Sequence, residues 1–320
     1  MLEALEEKVL AGGAVTKEEA LWLYEKAEEG ALAASAERIR AHFCGNGFDL
    51  CTIINGKSGR CSENCAFCAQ SSHYHTGAET YPLMDTASIL KEAKYNEARG
   101  VRRFAIVTSG RALSDEDVKE LCDTVRVLKA ETTLSICVSG GLLGEEAFRA
   151  LKAAGVTRIH NNLEASEGYF KNVCTTHTFQ DKVRTIRDAQ KVGLEVCSGG
   201  IFGLGEGIED RIDMAFSLRD LGVDSVPLNM LNPIPGTPFE GVQVLDAATM
   251  KRLVAVYRFI LPKTPIRLAG GRGLLVDNGR GCFESGANAL ITGDMLTTTG
   301  TTIETDRKTI DDLGFEVTLL

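Results

Sequence analysis

The stretch GKSGRCSENCAFCAQSSHYHTG, residues 56–77, carries three cysteines in the spacing C-x3-C-x2-C: Cys61, Cys65 and Cys68. No further cysteine follows before Cys122. Three thiolates this close together can hold a metal cluster with one position left open, where a small molecule can bind and react. A closed zinc site usually has a fourth ligand at short spacing, which His73 or His75 would provide. The motif therefore indicates an open metal cluster, with a zinc site as the alternative.

Beyond this motif the chain alternates between short apolar runs and amphipathic stretches. The apolar runs predict eight strands, at residues 50–54, 103–108, 133–138, 156–161, 194–197, 225–228, 266–268 and 289–292. The amphipathic stretches predict helices at 86–99, 115–129, 145–154, 179–192, 209–221 and 247–261, and a shorter one near 281–287. Eight strands with helical crossovers favour an α/β fold of the (β/α)8 TIM-barrel type, with an open doubly wound sheet as the alternative.

The expected organisation is one domain over residues 1–320. Residues 1–45 predict N-terminal helices, since Thr16 precedes a helix with acidic residues in its first turn. The barrel is expected from about residue 49 to residue 300, and residues 301–320 are expected to form a C-terminal tail. We find no linker and no low-complexity segment between these parts.

Composition narrows the class of protein. With 25% charged and 44% hydrophobic residues, the 320-residue chain has the composition of a soluble globular protein. A net charge of -9 argues against a nucleic-acid partner, and no apolar run has the length of a membrane span. The acidic N-terminus lacks a secretory signal, so we expect a cytoplasmic protein. Ten cysteines in that compartment indicate metal or redox chemistry rather than disulfides.

Unusual side chains stand at the carboxyl ends of the predicted strands, where barrel enzymes carry their chemistry. They are Cys137, His160, Asn162, Glu164, Cys197, Asn229 and Arg267, with Cys174 in a following loop. Each type has an ordinary alternative, because a buried cysteine often packs as a small apolar residue, asparagine and glutamate cap helices, and arginine forms structural ion pairs. Their shared position on several strands favours a common site.

The cysteine motif, with the aromatic Phe67 before its last cysteine, resembles the signature of the radical S-adenosylmethionine superfamily. Further motifs resemble the biotin synthase family: CSGGIFGLGE at 197–206, VPLNMLNPIPGTP at 226–238, IRLAGGR at 266–272 and GANALITGDMLTT at 286–298. The resemblance implies a 4Fe-4S cluster on the three cysteines, with S-adenosylmethionine chelating its open iron. It also implies insertion of sulfur into dethiobiotin, with the sulfur supplied by an auxiliary iron–sulfur cluster.

The same resemblance implies roles for individual residues and partners. Phe67, Ser109, Asn162 and Glu164 would contact S-adenosylmethionine. Dethiobiotin would contact Asn162, Asn229, His160 and Arg267. An asparagine amide both donates and accepts hydrogen bonds, which suits a ureido ring. An electron donor such as flavodoxin or ferredoxin and a homodimer are also implied.

One position departs from the family pattern. In its familiar form the auxiliary cluster has two irons, held by three cysteines and an arginine on strands two, three, five and seven. Cys137, Cys197 and Arg267 match, but Ala105 stands on strand two where a cysteine is expected. We predict that Cys174 replaces that ligand and that the cluster has four irons and an additional sulfide, with Arg267 as ligand or hydrogen-bond donor. A two-iron cluster with Cys174 or Cys282 is the alternative.

Three further cysteines, Cys44, Cys51 and Cys122, are expected to be structural. Two other function classes stay open at this point. A second radical S-adenosylmethionine enzyme of similar build, acting as a lyase, mutase or maturase, would share the cluster motif. A zinc-binding interaction protein would use the three cysteines structurally.

Overall fold

The computed structural model describes residues 1–298 and 300–320. Three helices precede the sheet, as predicted: α1 (Leu2–Leu10), α2 (Lys17–Lys26) and α3 (Glu29–Cys44). The predicted cap of α2 is present, since Thr16 accepts a hydrogen bond from the Glu19 N–H while the Glu19 side chain accepts one from the Thr16 N–H.

The strands that follow are all parallel and lie close to the predicted positions. They are β1 (Gly47–Lys57), β2 (Arg103–Thr108), β3 (Ser135–Ser139), β4 (Arg158–His160), β5 (Glu195–Cys197), β6 (Gly200–Phe202), β7 (Val226–Met230), β8 (Ile266–Leu268) and β9 (Ala289–Thr292). The crossover helices are α4 (Thr86–Glu97), α5 (Asp115–Glu131), α6 (Glu145–Ala154), α7 (Phe179–Lys191), α8 (Ile208–Leu221), α9 (Ala247–Ile260) and the short α10 (Arg280–Phe283).

The strands form a ring, and after α7 the chain forms two short strands: β5, where the fifth strand was predicted, and β6, which was not predicted. The hydrogen-bonded order is β5-β4-β3-β2-β1-β9-β8-β7-β6, and only Ser198 and Gly199 separate its two ends along the chain. The break between β5 and β6 depends on Gly199, because a Cβ there would lie 1.9 Å from the main-chain oxygen of Pro227. The predicted α/β barrel is thus confirmed, with two short strands between α7 and α8.

The C-terminal residues form more structure than the predicted tail. Residues 303–312 form a helix, α11, and a short strand, β10 (Glu316–Val317), pairs with β1 at Gly47 and Phe48. A buried ion pair fastens α11 to the loop after β8, since Arg272 Nη2 lies 2.7 Å from Asp306 Oδ2. The sequence shows little of this, because a two-residue strand has no periodicity of its own and exists only through its partner.

A buried carboxylate lies among arginines at the amino-terminal end of the barrel. Asp49 Oδ2, on β1, lies 2.8 Å from Arg267 Nη2, 3.2 Å from Arg103 Nε and 3.4 Å from Arg158 Nη1. Burial alone would raise the pKa of the Asp49 carboxyl, but the three guanidinium groups outweigh burial and lower that pKa. The main-chain oxygen of Leu320 accepts hydrogen bonds from Arg103 and Arg158, so the segment after β10 completes the cluster.

Buried apolar side chains continue from the N-terminal helices through the barrel wall to α11. Among the described residues, none of the helices combines the length and apolarity needed to cross a membrane.

We predict that Asp49→Asn strongly destabilises the fold, because three buried guanidinium groups lose their shared charge. Breaking a buried ion pair from one side costs about 3–5 kcal/mol. The measurement is the urea midpoint of the anaerobically purified protein. Glu131→Gln, which removes an exposed ion pair with Lys94, is the matched control and should leave the midpoint unchanged.

The free energy of unfolding should also depend on pH differently in the parent protein and in Asp49→Asn. Because the folded pKa of Asp49 is lowered, its contribution is present above the ordinary aspartate value of about 4 and is lost as the pH falls through the lowered value. Parent and Asp49→Asn stabilities should therefore converge on acidification. Equal stabilities of the two proteins at pH 7 would contradict this account.

Candidate active site at the mouth of the barrel

A cavity of about 400 Å³ opens at the carboxyl ends of the strands. Six of the ten cysteines line it: Cys51, Cys61, Cys65, Cys68, Cys137 and Cys197. Parallel strands bring their carboxyl ends together, so residues far apart along the chain meet here. The cavity therefore has two sets of thiols, one on the loop after β1 and one on the barrel wall.

The first set lies on the long loop between β1 and α4, which we call the cluster loop (residues 58–85). Main-chain hydrogen bonds hold its turns: the Cys61 N–H donates to Gln70 O (3.1 Å), the Ser72 N–H to Cys61 O (2.8 Å) and the Cys68 N–H to Cys65 O (3.0 Å). Burial raises the pKa of Cys68 to about 11. Iron binding would displace that proton, since a coordinated thiol is deprotonated.

A second loop, residues 173–177, packs against the cluster loop, and we call it the clamp loop. Asn64 Oδ1 accepts a hydrogen bond from the Thr176 N–H (3.2 Å), and the Glu63 carboxylate accepts one from Thr176 Oγ1 (2.7 Å). Glu63 also contacts Nδ1 of the buried His177. Burial would raise the pKa of Glu63, but the hydrogen bonds from Thr176 and His177 help to lower it. The clamp loop thus fixes the segment between the first two cysteines of the motif.

The structure places Cys174 in the clamp loop beside Cys65, outside the cavity lining. The Sγ atoms of Cys65 and Cys174 and a ring nitrogen of His177 lie within 4.8 Å of one another. We predicted that Cys174 shares a site with Cys137 and Cys197, and the structure places it elsewhere. Cys174 lies at the cluster loop because the next residues of the clamp loop hydrogen-bond to Glu63 and Asn64.

The four side chains expected at S-adenosylmethionine all line the cavity: Phe67, Ser109, Asn162 and Glu164. Ser109 Oγ donates to Gly59 O (2.7 Å), which joins the end of β2 to the cluster loop. Asn162 Nδ2 lies 3.3 Å from Glu164 Oε2. Glu164 has a φ of 68°, an uncommon conformation for a residue with a side chain. Such strained positions gather at functional sites.

The residues expected at dethiobiotin line the same cavity, and Asn162 belongs to both sets. Asn229 Oδ1 accepts from the Gly270 N–H (2.9 Å), and Asn229 Nδ2 donates to Gly200 O (3.0 Å). Its amide therefore bridges β6 and the end of β8. His160, at the end of β4, is opposite Cys197 in the strand register.

The second set of thiols lies on the barrel wall, around Ala105. Ala105 pairs with Cys137 on β3 and with Ile53 on β1, and Cys51, two residues before Ile53, packs in the same small cluster. The sequence predicts a structural role for Cys51, yet the structure places Cys51 in the cavity wall. The alternation of side chains along β1 could have predicted this position, because Cys51 and Ile53 lie on the same face of the strand.

Charged groups near this wall act on its thiols. Burial would raise the pKa of Cys197, but a hydrogen bond and charge from His160 and the charges of Arg267 and Arg158 outweigh burial and lower that pKa. Burial, with the neighbouring thiols of Cys197 and Cys51, raises the pKa of Cys137. The three thiols line the same cavity.

Arg267 lines the cavity, but its guanidinium hydrogen-bonds to β1 and β9. Its Nη1 donates to Asp49 O (3.2 Å) and Leu290 O (2.8 Å), and its Nη2 to Asp49 Oδ2 (2.8 Å). Burial opposes the charge, yet Asp49 outweighs it and the pKa of Arg267 is raised. A protonated guanidinium has no lone pair for iron. Of the two predicted roles at the auxiliary cluster, the observed contacts favour the hydrogen-bond donor.

Twelve of the thirteen predicted site residues line the one cavity, and Cys174 is the exception. The histidines of the zinc alternative are exposed, and His73 Nε2 lies 3.0 Å from Ser62 O. Sequence reasoning missed several other lining residues: Cys51, Gln70, Arg103, Thr108 and Arg158. Three thiols on one loop with open space beside them fit a 4Fe-4S cluster with one accessible iron, because soft thiolates select iron–sulfur clusters.

Comparison with known proteins agrees with this arrangement. Residues 57–218 match the Radical SAM superfamily, and residues 227–316 match the Biotin and Thiamin Synthesis associated domain. Among solved structures, methylornithine synthase superposes with a TM-score of 0.85 over 98% of this chain and 97% of that chain, at 20% identity. The hydrogenase maturase HydG from Carboxydothermus hydrogenoformans has a TM-score of 0.82 over 98% of this chain and 78% of that chain, at 16% identity. At these identities the superpositions show the fold alone.

Curated relatives are much closer in sequence. Biotin synthase from Brachyspira hyodysenteriae is 55% identical over 99% of this chain and 95% of that protein. Biotin synthase from Clostridium botulinum strain Loch Maree is 54% identical over 97% of both chains. With this identity along nearly the whole length of both partners, and with both domain matches in order, the chain belongs to the biotin synthase family of radical S-adenosylmethionine enzymes.

Proposed function

We propose that this protein inserts sulfur into dethiobiotin to form biotin, in the cavity at the mouth of the barrel. The observation that carries the proposal is the presence of two sets of thiols in one enclosed space, Cys61, Cys65 and Cys68 on the cluster loop and a second set on the wall. A radical S-adenosylmethionine enzyme with a single cluster needs the first set alone. The second set gives the enzyme a place for an auxiliary cluster beside the substrate.

The groups that bind here supply chemistry that protein side chains lack. Reduced 4Fe-4S with S-adenosylmethionine provides a carbon radical able to take hydrogen from an unactivated C–H bond, and the auxiliary cluster provides sulfur. The protein's own contribution is to hold these groups and the substrate in fixed positions next to one another and to exclude water from the cavity. Apolar side chains of Ile53, Val107, Ile201 and Ile291 in the cavity lining serve that exclusion.

Individual residues of the cavity lining have proposed roles in binding the two ligands. Phe67, Ser109, Asn162 and Glu164 would hold S-adenosylmethionine next to the cluster loop. Asn229, Asn162 and His160 would orient dethiobiotin, and Asn229 is supported by its rigid placement between Gly200 and Gly270. Preorganised polar groups bind a ligand without losing side-chain freedom at that moment.

The auxiliary cluster would be held by Cys137 and Cys197, with Arg267 below it as a cation. We propose four irons and one additional sulfide, with a two-iron cluster as the alternative. A sulfide bound to only one iron can leave without dismantling the cluster. The support is the missing thiol at Ala105, which removes a ligand of the familiar two-iron site.

We further propose that the whole chain forms one cytoplasmic domain, supported by the continuous buried apolar core from Leu5 to Phe315. A homodimer and reduction by flavodoxin or ferredoxin are proposed from family membership.

The deciding assay is anaerobic turnover with dithionite, dethiobiotin and S-adenosylmethionine. Biotin should appear together with 5′-deoxyadenosine, and iron should exceed about four per chain. Formation of 5′-deoxyadenosine without biotin would favour a different radical enzyme. Colourless protein with one zinc would overturn the proposal.

Removing a cluster-loop thiol should stop the reaction at its first step. We predict that Cys68→Ala loses the iron of this cluster and forms no 5′-deoxyadenosine. Cys122→Ala, at a buried thiol on α5 that does not line the cavity, is the matched control and should retain both. Iron analysis and product chromatography are the measurements, and full 5′-deoxyadenosine formation by Cys68→Ala would contradict the assignment.

Removing the Asn229 amide should weaken use of the substrate. We predict that Asn229→Ala lowers kcat/KM for dethiobiotin by about 10- to 100-fold, through loss of hydrogen bonds worth about 1.4–2.8 kcal/mol. Iron content should stay at the parent value. Asn96→Ala, at a buried asparagine on α4 outside the cavity lining, is the control. An unchanged kcat/KM in Asn229→Ala would remove this residue from the binding site.

A further inference from the structure

The barrel wall has a thiol that neither the family pattern nor the predicted ligand set includes. Cys51 is 5% exposed, lines the cavity and packs with Ala105 and Cys137. Ala105 is the position where the familiar two-iron site has its cysteine. The thiol missing from β2 thus has a neighbour on the adjacent strand β1.

Strand geometry explains why a thiol on β1 can serve the same space. Ile53 on β1, Ala105 on β2 and Cys137 on β3 are opposite one another in the register. Cys51 is two residues before Ile53, so its side chain leaves the strand on the same inward face, one layer deeper.

The other candidates for a replacement ligand are elsewhere. Cys174 is beside Cys65 in the clamp loop, and Cys282 is buried on α10 and does not line the cavity. Among the residues that the structure describes, the cavity-lining thiols outside the cluster loop are Cys51, Cys137 and Cys197.

The charges around Cys51 suit an anionic ligand. Arg103, Arg158 and Arg267 line the floor of the cavity, and they meet two carboxylates, Asp49 and the half-exposed Glu195. Three guanidinium groups thus share two side-chain carboxylates, and Arg103 and Arg158 also donate to the main-chain oxygen of Leu320. Bound thiolates and sulfides are negative, and nearby cations stabilise them.

We propose that Cys51 is the third thiolate ligand of the auxiliary cluster, together with Cys137 and Cys197. This assignment rests on the proposed function, because it requires an auxiliary cluster in this cavity. Cys51 would hold the cluster as a thiolate through Sγ, and its thiol proton would pass to solvent as the iron binds. The site then has three protein thiolates on β1, β3 and β5, and Ala105 leaves space instead of a ligand.

The experiment compares anaerobically reconstituted parent, Cys51→Ala and Cys51→Ser proteins by iron and sulfide content and Mössbauer spectroscopy. Both variants should lose the auxiliary signal and fall to about four irons per chain, while 5′-deoxyadenosine formation continues and biotin formation stops. Cys122→Ala is the matched control and should keep the parent values. Adding Ala105→Cys to Cys51→Ala should restore auxiliary iron, because a third thiol returns to the wall.

Iron anomalous scattering from crystals of the loaded parent protein tests the bond without a substitution. An iron at bonding distance from Cys51 Sγ is expected, and auxiliary iron bonded to Cys137 and Cys197 but not to Cys51 overturns the proposal. Full auxiliary iron in both Cys51 variants overturns it too, while biotin formation by the parent leaves the proposed function standing. A parent with about four irons and no biotin formation would instead defeat the proposed function itself.

Discussion

One buried carboxylate organises the floor of this barrel. Asp49 on β1 meets arginines from β2, β4 and β8, strands that lie on both sides of β1 in the ring. A buried charge without a partner would be very costly. The buried charges are therefore all paired only when β1, β2, β4 and β8 are all in place. The same arginines line the bottom of the cavity, where they face the wall thiols. The interaction that joins these four strands therefore also contributes to the electrostatics of the proposed auxiliary site.

The mouth of the barrel depends on a different kind of contact. The cluster loop is long and has little regular secondary structure. Main-chain hydrogen bonds in its turns hold its conformation, and so does the clamp loop, which contacts Glu63 and Asn64. A metal site on a loop needs such support, because the partners behind the ligands decide how the ligands point. Cys174 belongs to this support. Its place beside Cys65 shows how a thiol can lie near a cluster motif without facing the cavity.

Much of the fold was predictable because its signals are local. The strands and crossover helices have apolar patterns of their own, and the predicted α6 has the observed limits, Glu145–Ala154. The break between β5 and β6 was not predictable, since it depends on the oxygen of Pro227 approaching Gly199 from β7. The two-residue strand β10 was not predicted for the same reason. In both cases the deciding atom belongs to a distant segment.

The candidate site divides along the same line. Chemistry at the mouth could be predicted from the sequence, because Cys61, Cys65 and Cys68 are neighbours along the chain and motifs around Asn229 and Arg267 resemble one family. The partners of each thiol could not. Cys51 and Cys174 are both isolated cysteines in the sequence, and nothing local shows which of them lies near Cys137. The sequence therefore led us to predict Cys174 as the ligand and Cys51 as a structural residue. Strand register carries Cys51 into the cavity wall, and loop packing carries Cys174 to Cys65. Residue type and spacing thus predicted an open metal cluster, and the resemblance of several motifs to one family implied the class of reaction. Only the tertiary structure decided which sulfur atoms share a space, because that depends on strand order and on hydrogen bonds between segments more than a hundred residues apart.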